Sequence, residues 1–213
     1  MIMSRSVLDQ LICEFDRALK ISTGSLKTAS RQSPAHTIQD KSLSEKDQRK
    51  SARLMRVNHT GEVCAQALYQ GQALTARNSA VTGIMQRAAE EECDHLVWCE
   101  TRLAELNTRT SFLNPLFYVG SMAMGAFVGA LGDRTNLGFL AATEDGVVQH
   151  LSNHLTELPK DDHKSRAIVT LMREDESRHA HHAIESGGRA FPPLARSIMN
   201  GMSTLMTKTT YWF

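Results

Sequence analysis

The sequence predicts an all-α protein, and three observations support that fold class. Alanine, leucine, methionine, glutamate, glutamine and arginine are abundant, and these residue types favour helices. Aromatic residues make up only 6% of the chain, and alternating runs of β-branched residues are few. Two Glu-x-x-His motifs, at 92–95 and 176–179, each follow a lone glutamate by the length of one helix and a turn. This spacing predicts a bundle of antiparallel helices.

The paired motifs supply the ligand set of a two-iron or two-manganese centre. Residues i and i+3 share a helix face, so each motif can direct its glutamate and histidine at one site. The lone glutamates are offset by 82 residues and the motifs by 84, which predicts two similar helix hairpins. The alternative is two solvated helix faces with ordinary side chains. The predicted metal ligands are Glu62, Glu92, His95, Glu144, Glu176 and His179.

This ligand set suits a buried centre. Carboxylates and imidazoles together favour iron or manganese, whereas zinc sites more often use cysteine and histidine. Four carboxylates cancel the charge of two divalent cations, so the assembly can lie in a low-dielectric core. We expect the motif glutamates to bridge the metals and the lone glutamates to be terminal. Asp94 and Asp175 are candidate hydrogen-bond acceptors for the histidines, each reaching across to the other half, with surface ion pairing as the alternative.

The N-terminal part of the chain differs from the rest. Apolar residues recur at helical spacing over 5–20, which predicts a short amphipathic helix. Residues 21–44 are polar, contain Pro34 and are predicted to be a linker. We therefore expect 1–44 to be an N-terminal amphipathic helix and linker, and 45–213 to be the bundle domain.

Helix start and stop signals divide the bundle domain. Ser44 and Asp47 form a variant capping box, Asn78-Ser79 can begin a second helix, and Gly187-Gly188 can end another. The bundle helices are predicted at about 45–77, 80–107, 137–157 and 160–186, with a final helix after Pro192-Pro193.

Two apolar segments lie outside the four ligand-bearing helices. Residues 110–132 carry no charge, but their glycines favour a helix packed on the bundle, with one face exposed to membrane or substrate, over a true membrane span. Gly125 and Gly129 in this segment permit close helix packing. The final helix has an apolar stripe that can pack on the bundle or anchor at a membrane interface: Leu194, Ile198, Met202, Leu205, Met206, Trp212 and Phe213.

Composition excludes several classes of protein. At 213 residues the chain suits one domain with a sizeable core, and its net charge of +1 implies no nucleic-acid partner. The four cysteines lack zinc spacing. A disulfide framework is not expected at this chain length, which fits a reducing compartment. Acidic residues near the N-terminus argue against a signal or transit peptide.

The residues around five of the six predicted ligands form three motifs: Asn58-His59-Thr60-Gly61-Glu62-Val63, Glu91-Glu92-Cys93-Asp94-His95 and Glu174-Asp175-Glu176-Ser177-Arg178-His179-Ala180. These motifs resemble those of the demethoxyubiquinone hydroxylases of ubiquinone biosynthesis. The resemblance implies a ferritin-like four-helix bundle with a di-iron site and additional hydrophobic or amphipathic helices. It also implies a peripheral enzyme on the cytoplasmic face of the cell membrane.

The resemblance also implies an activity. Such enzymes hydroxylate the ring of 2-polyprenyl-3-methyl-6-methoxy-1,4-benzoquinol (demethoxyubiquinol) with O2 and two electrons, and their metal ligands match the six predicted residues one for one. Some relatives have a His-Tyr pair where this chain has His150-Leu151. His150 is therefore the candidate catalytic residue, and an electron route through a tyrosine at the next position is not expected.

Several alternatives remain open. One alternative interpretation is another ferritin-like di-metal oxidase or peroxidase, and a second is a non-catalytic membrane-associated helical module. The electron donor can be NADH, another reductase or the reduced quinol itself. Expected partners are a polyprenyl quinol, the membrane surface, and either a second copy of the chain or other ubiquinone-biosynthesis proteins.

Overall fold

The computed structural model describes residues 16, 18–21, 23, 26, 28–39 and 41–213. Over these residues the chain is all-α and contains no strand, which confirms the predicted fold class. Most of the N-terminal helix predicted at 5–20 lies outside the described residues, and those at 16, 18–21 and 23 are helical. The helices are α1 (Glu45–Thr75), α2 (Ser79–Glu105), α3 (Asn114–Ala130), α4 (Asp133–Glu157), α5 (His163–Glu185) and α6 (Pro193–Thr210).

Helices α1, α2, α4 and α5 form a ferritin-like four-helix bundle. Helix α1 packs on α2 and α4 packs on α5, so short turns generate two antiparallel hairpins. Contacts of α2 with α5 and of α1 with α4 join the hairpins. Helix α3 lies along α1, and α6 contacts α1 and α4.

The helix ends follow the predicted signals with two differences, the smaller of which is that α5 begins at His163, three residues after the predicted start. The Ser44 hydroxyl accepts a hydrogen bond from the Asp47 N–H at 3.2 Å, and the Asn78 side chain accepts from Ala80 N–H at 2.8 Å. Helix α4 begins at Asp133, four residues before the predicted start. Gly132 explains the difference: its φ of +114° turns the chain from α3 directly into α4.

The uncharged segment forms a helix against the bundle, as predicted. Gly125 and Gly129 of α3 lie directly against the α1 backbone, and Gly71 of α1 lies against the α3 backbone. A Cβ atom at any of the three would collide with the facing helix. The opposite face of α3 exposes large apolar side chains at Leu116, Val119 and Phe127. No helix among the described residues is both long and apolar enough to cross a bilayer.

Helix α6 turns its apolar stripe outward. Six of the seven stripe residues are more than half exposed, and Met206 is half-buried. Packing of the whole stripe on the bundle, one of the two interpretations of the sequence, is therefore wrong. The exposed members are Leu194, Ile198, Met202, Leu205, Trp212 and Phe213.

Two apolar clusters divide the bundle along its length. One includes Met55, Trp98 and Met172, and the other includes Tyr69 and Met85. On each ligand-bearing helix, the predicted ligands fall between residues of the two clusters. The fold therefore places them in a polar layer closed above and below by apolar side chains.

Candidate metal centre

The structure brings the six predicted ligands together. Glu62, His95, Glu92 and Glu176 form one group, and Glu144, His179, Glu92 and Glu176 form a second. Within each group the candidate ligand atoms all lie within 4.8 Å of one another. The two groups share the motif glutamates Glu92 and Glu176, which is the arrangement expected of two bridging and two terminal carboxylates.

Both histidines direct Nδ1 at the carboxylates. His95 Nδ1 lies 3.0 Å from a Glu176 oxygen and 3.2 Å from a Glu92 oxygen. His179 Nδ1 lies 3.0 Å from Glu176 and 3.6 Å from Glu144. Nδ1 of each ring faces the cluster, so Nε2 lies on the opposite side of the ring. A hydrogen bond made by Nε2 can therefore fix the orientation of the ring.

The Nε2 atoms contact carboxylates of the opposite half. His95 Nε2 lies 2.9 Å from Asp175 Oδ2, so the prediction for Asp175 is confirmed. The prediction for Asp94 is wrong, because Asp94 accepts hydrogen bonds from Ser30 N–H and Arg31 Nε instead. His179 Nε2 contacts Glu91 Oε2 at 3.0 Å.

Glu91 could have been identified from the sequence. It precedes the first motif glutamate by one position, as Asp175 precedes the second, and the two are 84 residues apart. That is the offset of the motifs themselves. Asp94 lies between the glutamate and the histidine of the first motif. Its carboxylate accepts hydrogen bonds from residues that precede α1 in the chain.

Crowded carboxylates dominate the electrostatics of the cluster. Burial, then repulsion from Glu176 and Glu62, raises the pKa of Glu92 well above its usual value. Burial and repulsion from Glu176 raise the pKa of Glu144 to about 8. Glu176 is the exception: burial raises its pKa, but hydrogen bonds with His179 and His95 outweigh burial and lower it to about 2.

The imidazoles respond in the opposite direction. Burial disfavours the imidazolium form of His179, but Glu144 and Glu176 outweigh it and raise the pKa to about 12. The pKa of His95 is likewise raised well above its usual value, because Asp175, Glu176 and the other carboxylates overcome burial. The cluster is thus a strong attractor of positive charge.

The donor set fits a pair of hard divalent cations. Glu92 Oε1 and Glu144 Oε2 are buried and find no hydrogen-bond partner among the described residues. A buried carboxylate oxygen without a partner is costly, and a bound cation removes that cost. Four carboxylates with two imidazole nitrogens suit iron or manganese.

Tyr69 adds a contact that sequence analysis did not anticipate. Its hydroxyl donates a hydrogen bond to Glu144 Oε1, and its side chain is fully buried. Burial and the neighbouring Glu144 raise the pKa of the phenol well above its usual value, so it remains a donor. Tyr69 follows Glu62 by seven residues, so the two lie on the same face of α1, and that spacing was the available signal.

His150 lies outside both ligand groups. It is half-buried, and its ring centroid lies 3.9 Å from that of His154. Burial lowers the pKa of His150, and burial together with His150 lowers that of His154 to about 3. Leu151 is buried in the apolar core. His150 and His154 line a cavity of about 350 Å³, together with Leu54, Val57, Asn153, Glu157, Thr207, Lys208, Tyr211 and Trp212.

Comparison with known proteins agrees with the geometry. The family model described as ubiquinone biosynthesis protein COQ7 matches residues 49–210. A Pseudomonas syringae protein named 3-demethoxyubiquinol 3-hydroxylase is 52% identical over 206 residues, covering 97% of this chain and 96% of the relative. Proteins of the same name from Chromohalobacter salexigens and Acinetobacter baumannii are 51% identical over 203 residues and 52% identical over 205 residues. The former alignment covers 95% of each chain, and the latter covers 96% of this chain and 97% of the relative. The family resemblance of the ligand motifs is therefore confirmed, and the chain belongs to the ubiquinone biosynthesis protein COQ7 family.

Proposed function

We propose that this protein is a di-iron monooxygenase that hydroxylates the ring of demethoxyubiquinol with O2 during ubiquinone biosynthesis. The observation that carries the proposal is the buried cluster of four carboxylates and two imidazoles, in which the groups of Glu62 with His95 and of Glu144 with His179 share Glu92 and Glu176. The names of the relatives and the family assignment support this substrate.

Each residue of the cluster has a distinct task in the proposed centre. Glu62 and His95 would hold one iron, Glu144 and His179 the other, and Glu92 and Glu176 would bridge them. When bound, a ferrous pair supplies the two-electron reduction of O2 that hydroxylation requires. Asp175 and Glu91 fix the two imidazoles through Nε2, and Tyr69 orients the carboxylate of Glu144.

The surroundings of the cluster limit the access of water. Apolar residues close the layer on both sides, and the side chains of Glu92, His95 and Glu144 are almost completely buried. A dry site protects reactive oxygen chemistry from unproductive reactions with solvent.

The cavity beside His150 is the proposed site of the quinol ring. It combines the apolar walls of Leu54 and Val57 with the polar groups of Asn153 and the two histidines. Buried His150 Nε2 has no hydrogen-bond partner among the described residues, so it can contact a quinol oxygen. This is the catalytic role that we propose for His150.

A polyprenyl quinol is dissolved in the membrane, so we propose that the protein binds the membrane surface peripherally. The exposed faces of α3 and α6 present large apolar side chains on helices too short or too polar to span the bilayer. We assign the bound membrane surface to the cytoplasmic face of the cell membrane.

Single-turnover chemistry tests the proposal. Protein whose iron is in the ferric state would receive demethoxyubiquinol anaerobically, as the sole electron source, and then isotopically labelled O2. Formation of the ring hydroxylated with one labelled oxygen is expected. Its formation from ferric protein without NADH would identify the quinol as the reductant, because a quinol gives up two electrons on oxidation to the quinone and the second oxygen of O2 leaves as water. Product that forms only after NADH or a reductase is added would assign the electrons to that donor. Consumption of O2 without ring hydroxylation under every condition would favour a different oxidase.

A further inference from the structure

Residues 28–39, here called the strap, lie against the bundle beside His95. Ala35 is buried in the apolar cluster that contains Trp98, and Ala29 packs against the same cluster. The Trp98 indole N–H donates to the Arg31 carbonyl at 3.3 Å, and the Arg31 guanidinium lies 5.0 Å from the Trp98 ring centroid. These contacts hold the strap at a defined position on α2.

Arg31 connects the strap to the candidate metal centre. Its Nε lies 2.8 Å from Asp94 Oδ2, and a terminal nitrogen lies 2.8 Å from Asp175 Oδ2. Asp94 belongs to α2 and Asp175 to α5, so a single guanidinium links two helices of the bundle. A guanidinium suits this task because its planar fork holds several donors in fixed directions.

The same Asp175 oxygen accepts from His95. Asp175 Oδ2 lies 2.9 Å from His95 Nε2, so the shared acceptor brings the Arg31 nitrogen within 3.4 Å of Nε2. Arg31 therefore limits where Asp175 Oδ2 can lie, while an Arg178 nitrogen lies 2.7 Å from the other oxygen, Oδ1. Asp175 in turn limits the rotation of the His95 ring. The direction of His95 Nδ1 toward the cluster follows from both contacts.

The other imidazole has a looser support. Glu91, which contacts His179 Nε2, is 41% exposed, and the nearest Arg178 nitrogen lies 3.9 Å from it. The Asp175 side chain is 1% exposed. The two candidate metal positions therefore differ in how firmly the carboxylate that contacts each imidazole is held.

We propose that Arg31 is a positioning residue that holds the Asp175–His95 pair and makes the Glu62–His95 iron position the slower of the two to release its metal. This inference rests on the proposed di-iron centre. The strap acts, through Arg31, on the Asp175 carboxylate that pairs with His95.

Iron release from the full-length holoprotein tests the inference. Arg31→Ala, Arg31→Lys and the control Arg49→Ala would be loaded with ferrous iron and challenged anaerobically with a chelator. Arg49 is a matched arginine because its ion pair with Glu45 is exposed and lies on the helix surface. Mössbauer spectra of the loaded proteins would report the coordination of the two irons separately.

Two release steps are expected from the unsubstituted protein. In Arg31→Ala, the slower step should accelerate roughly 10-fold, the lower end of the range for losing the hydrogen-bond partner of a metal ligand, because Arg31 acts on His95 through Asp175. One of the two Mössbauer signals should change with it. Arg31→Lys keeps the charge but not the fork, so an intermediate acceleration is expected, and Arg49→Ala should match the unsubstituted protein.

The outcomes separate this inference from the proposed function. Two irons in the unsubstituted protein, with unchanged release and spectra in both Arg31 variants, would overturn the inference alone. Failure of the unsubstituted protein to bind iron would instead overturn the proposed centre. If Arg31→Ala does not fold, Arg31→Lys decides the matter through the slower release step.

Discussion

The two halves of the candidate centre contain the same types of candidate ligand but differ in the residues that surround them. In the half of His95, the imidazole is fully buried and its partner Asp175 is 1% exposed. In the half of His179, the imidazole is 12% exposed, its partner Glu91 is 41% exposed, and a cleft of about 60 Å³ opens beside both. A repeated ligand pattern therefore does not imply equivalent metal positions, because the polypeptide outside the repeat decides how firmly each ligand is supported.

The largest expected effect comes from a residue that both halves share. Glu176→Ala removes a carboxylate common to the two groups, so we expect loss of bound iron and of hydroxylation. Iron analysis of the purified variant and product analysis by mass spectrometry measure the two effects. Glu174→Ala is the matched control, because Glu174 lies two residues away on the same helix and is exposed. Full iron content and turnover in Glu176→Ala would refute the ligand assignment.

A matched pair of substitutions compares the two halves directly. Asp175→Asn and Glu91→Gln each neutralise the carboxylate behind one imidazole while preserving its shape. Asp175→Asn should weaken binding of one iron roughly 10–100-fold. Glu91→Gln should weaken binding only a few-fold, because water can reach His179 Nε2 and accept in place of the carboxylate. Chelator titration of the ferrous proteins measures both, and equal losses would show that exposure of the partner is unimportant.

Features of the candidate centre that are local in the chain could be predicted from the sequence more readily than those that depend on tertiary packing. The four ligand-bearing helices and the meeting of six residues could be predicted, because helical periodicity and i, i+3 spacing are local and repeated. The 84-residue offset from Asp175 also indicates Glu91, whereas the predicted Asp94 has no acidic equivalent in the second motif, where Arg178 stands.

Other features depended on tertiary packing. Arg31 lies in a polar stretch without periodicity, and its contacts with Asp94 and Asp175 join residues far apart in the chain. Nothing local in the sequence indicates that such a stretch lies beside His95, a candidate metal ligand. The outward direction of the α6 stripe was equally undetermined, because an amphipathic pattern predicts a buried face without naming what buries it.

Tyr69→Phe tests the support of Glu144, the candidate terminal carboxylate in the half of His179. The substitution removes the hydrogen bond to Glu144 but keeps the aromatic ring in the core. Losing a buried donor to a carboxylate should lower the free energy of unfolding by about 1–3 kcal/mol. Urea unfolding measures this loss, with Tyr211→Phe as a control because the Tyr211 ring makes its contacts with Arg53 and Trp212. An unchanged unfolding midpoint for Tyr69→Phe would mean that its hydroxyl contributes nothing to holding Glu144.

The smallest effect on the centre should come from the exposed stripe of α6. Replacing Leu194, Ile198 and Leu205 by serine removes exposed apolar area without disturbing buried contacts, so iron should remain in both halves. Binding to anionic phospholipid vesicles should weaken, because interfacial affinity scales with the apolar area that enters the lipid. Co-sedimentation measures the binding, and Asn200→Ser, an exposed polar position on the same helix, is the control. Vesicle binding that is unchanged in the triple variant would assign membrane contact to the exposed face of α3 or remove it from the proposal.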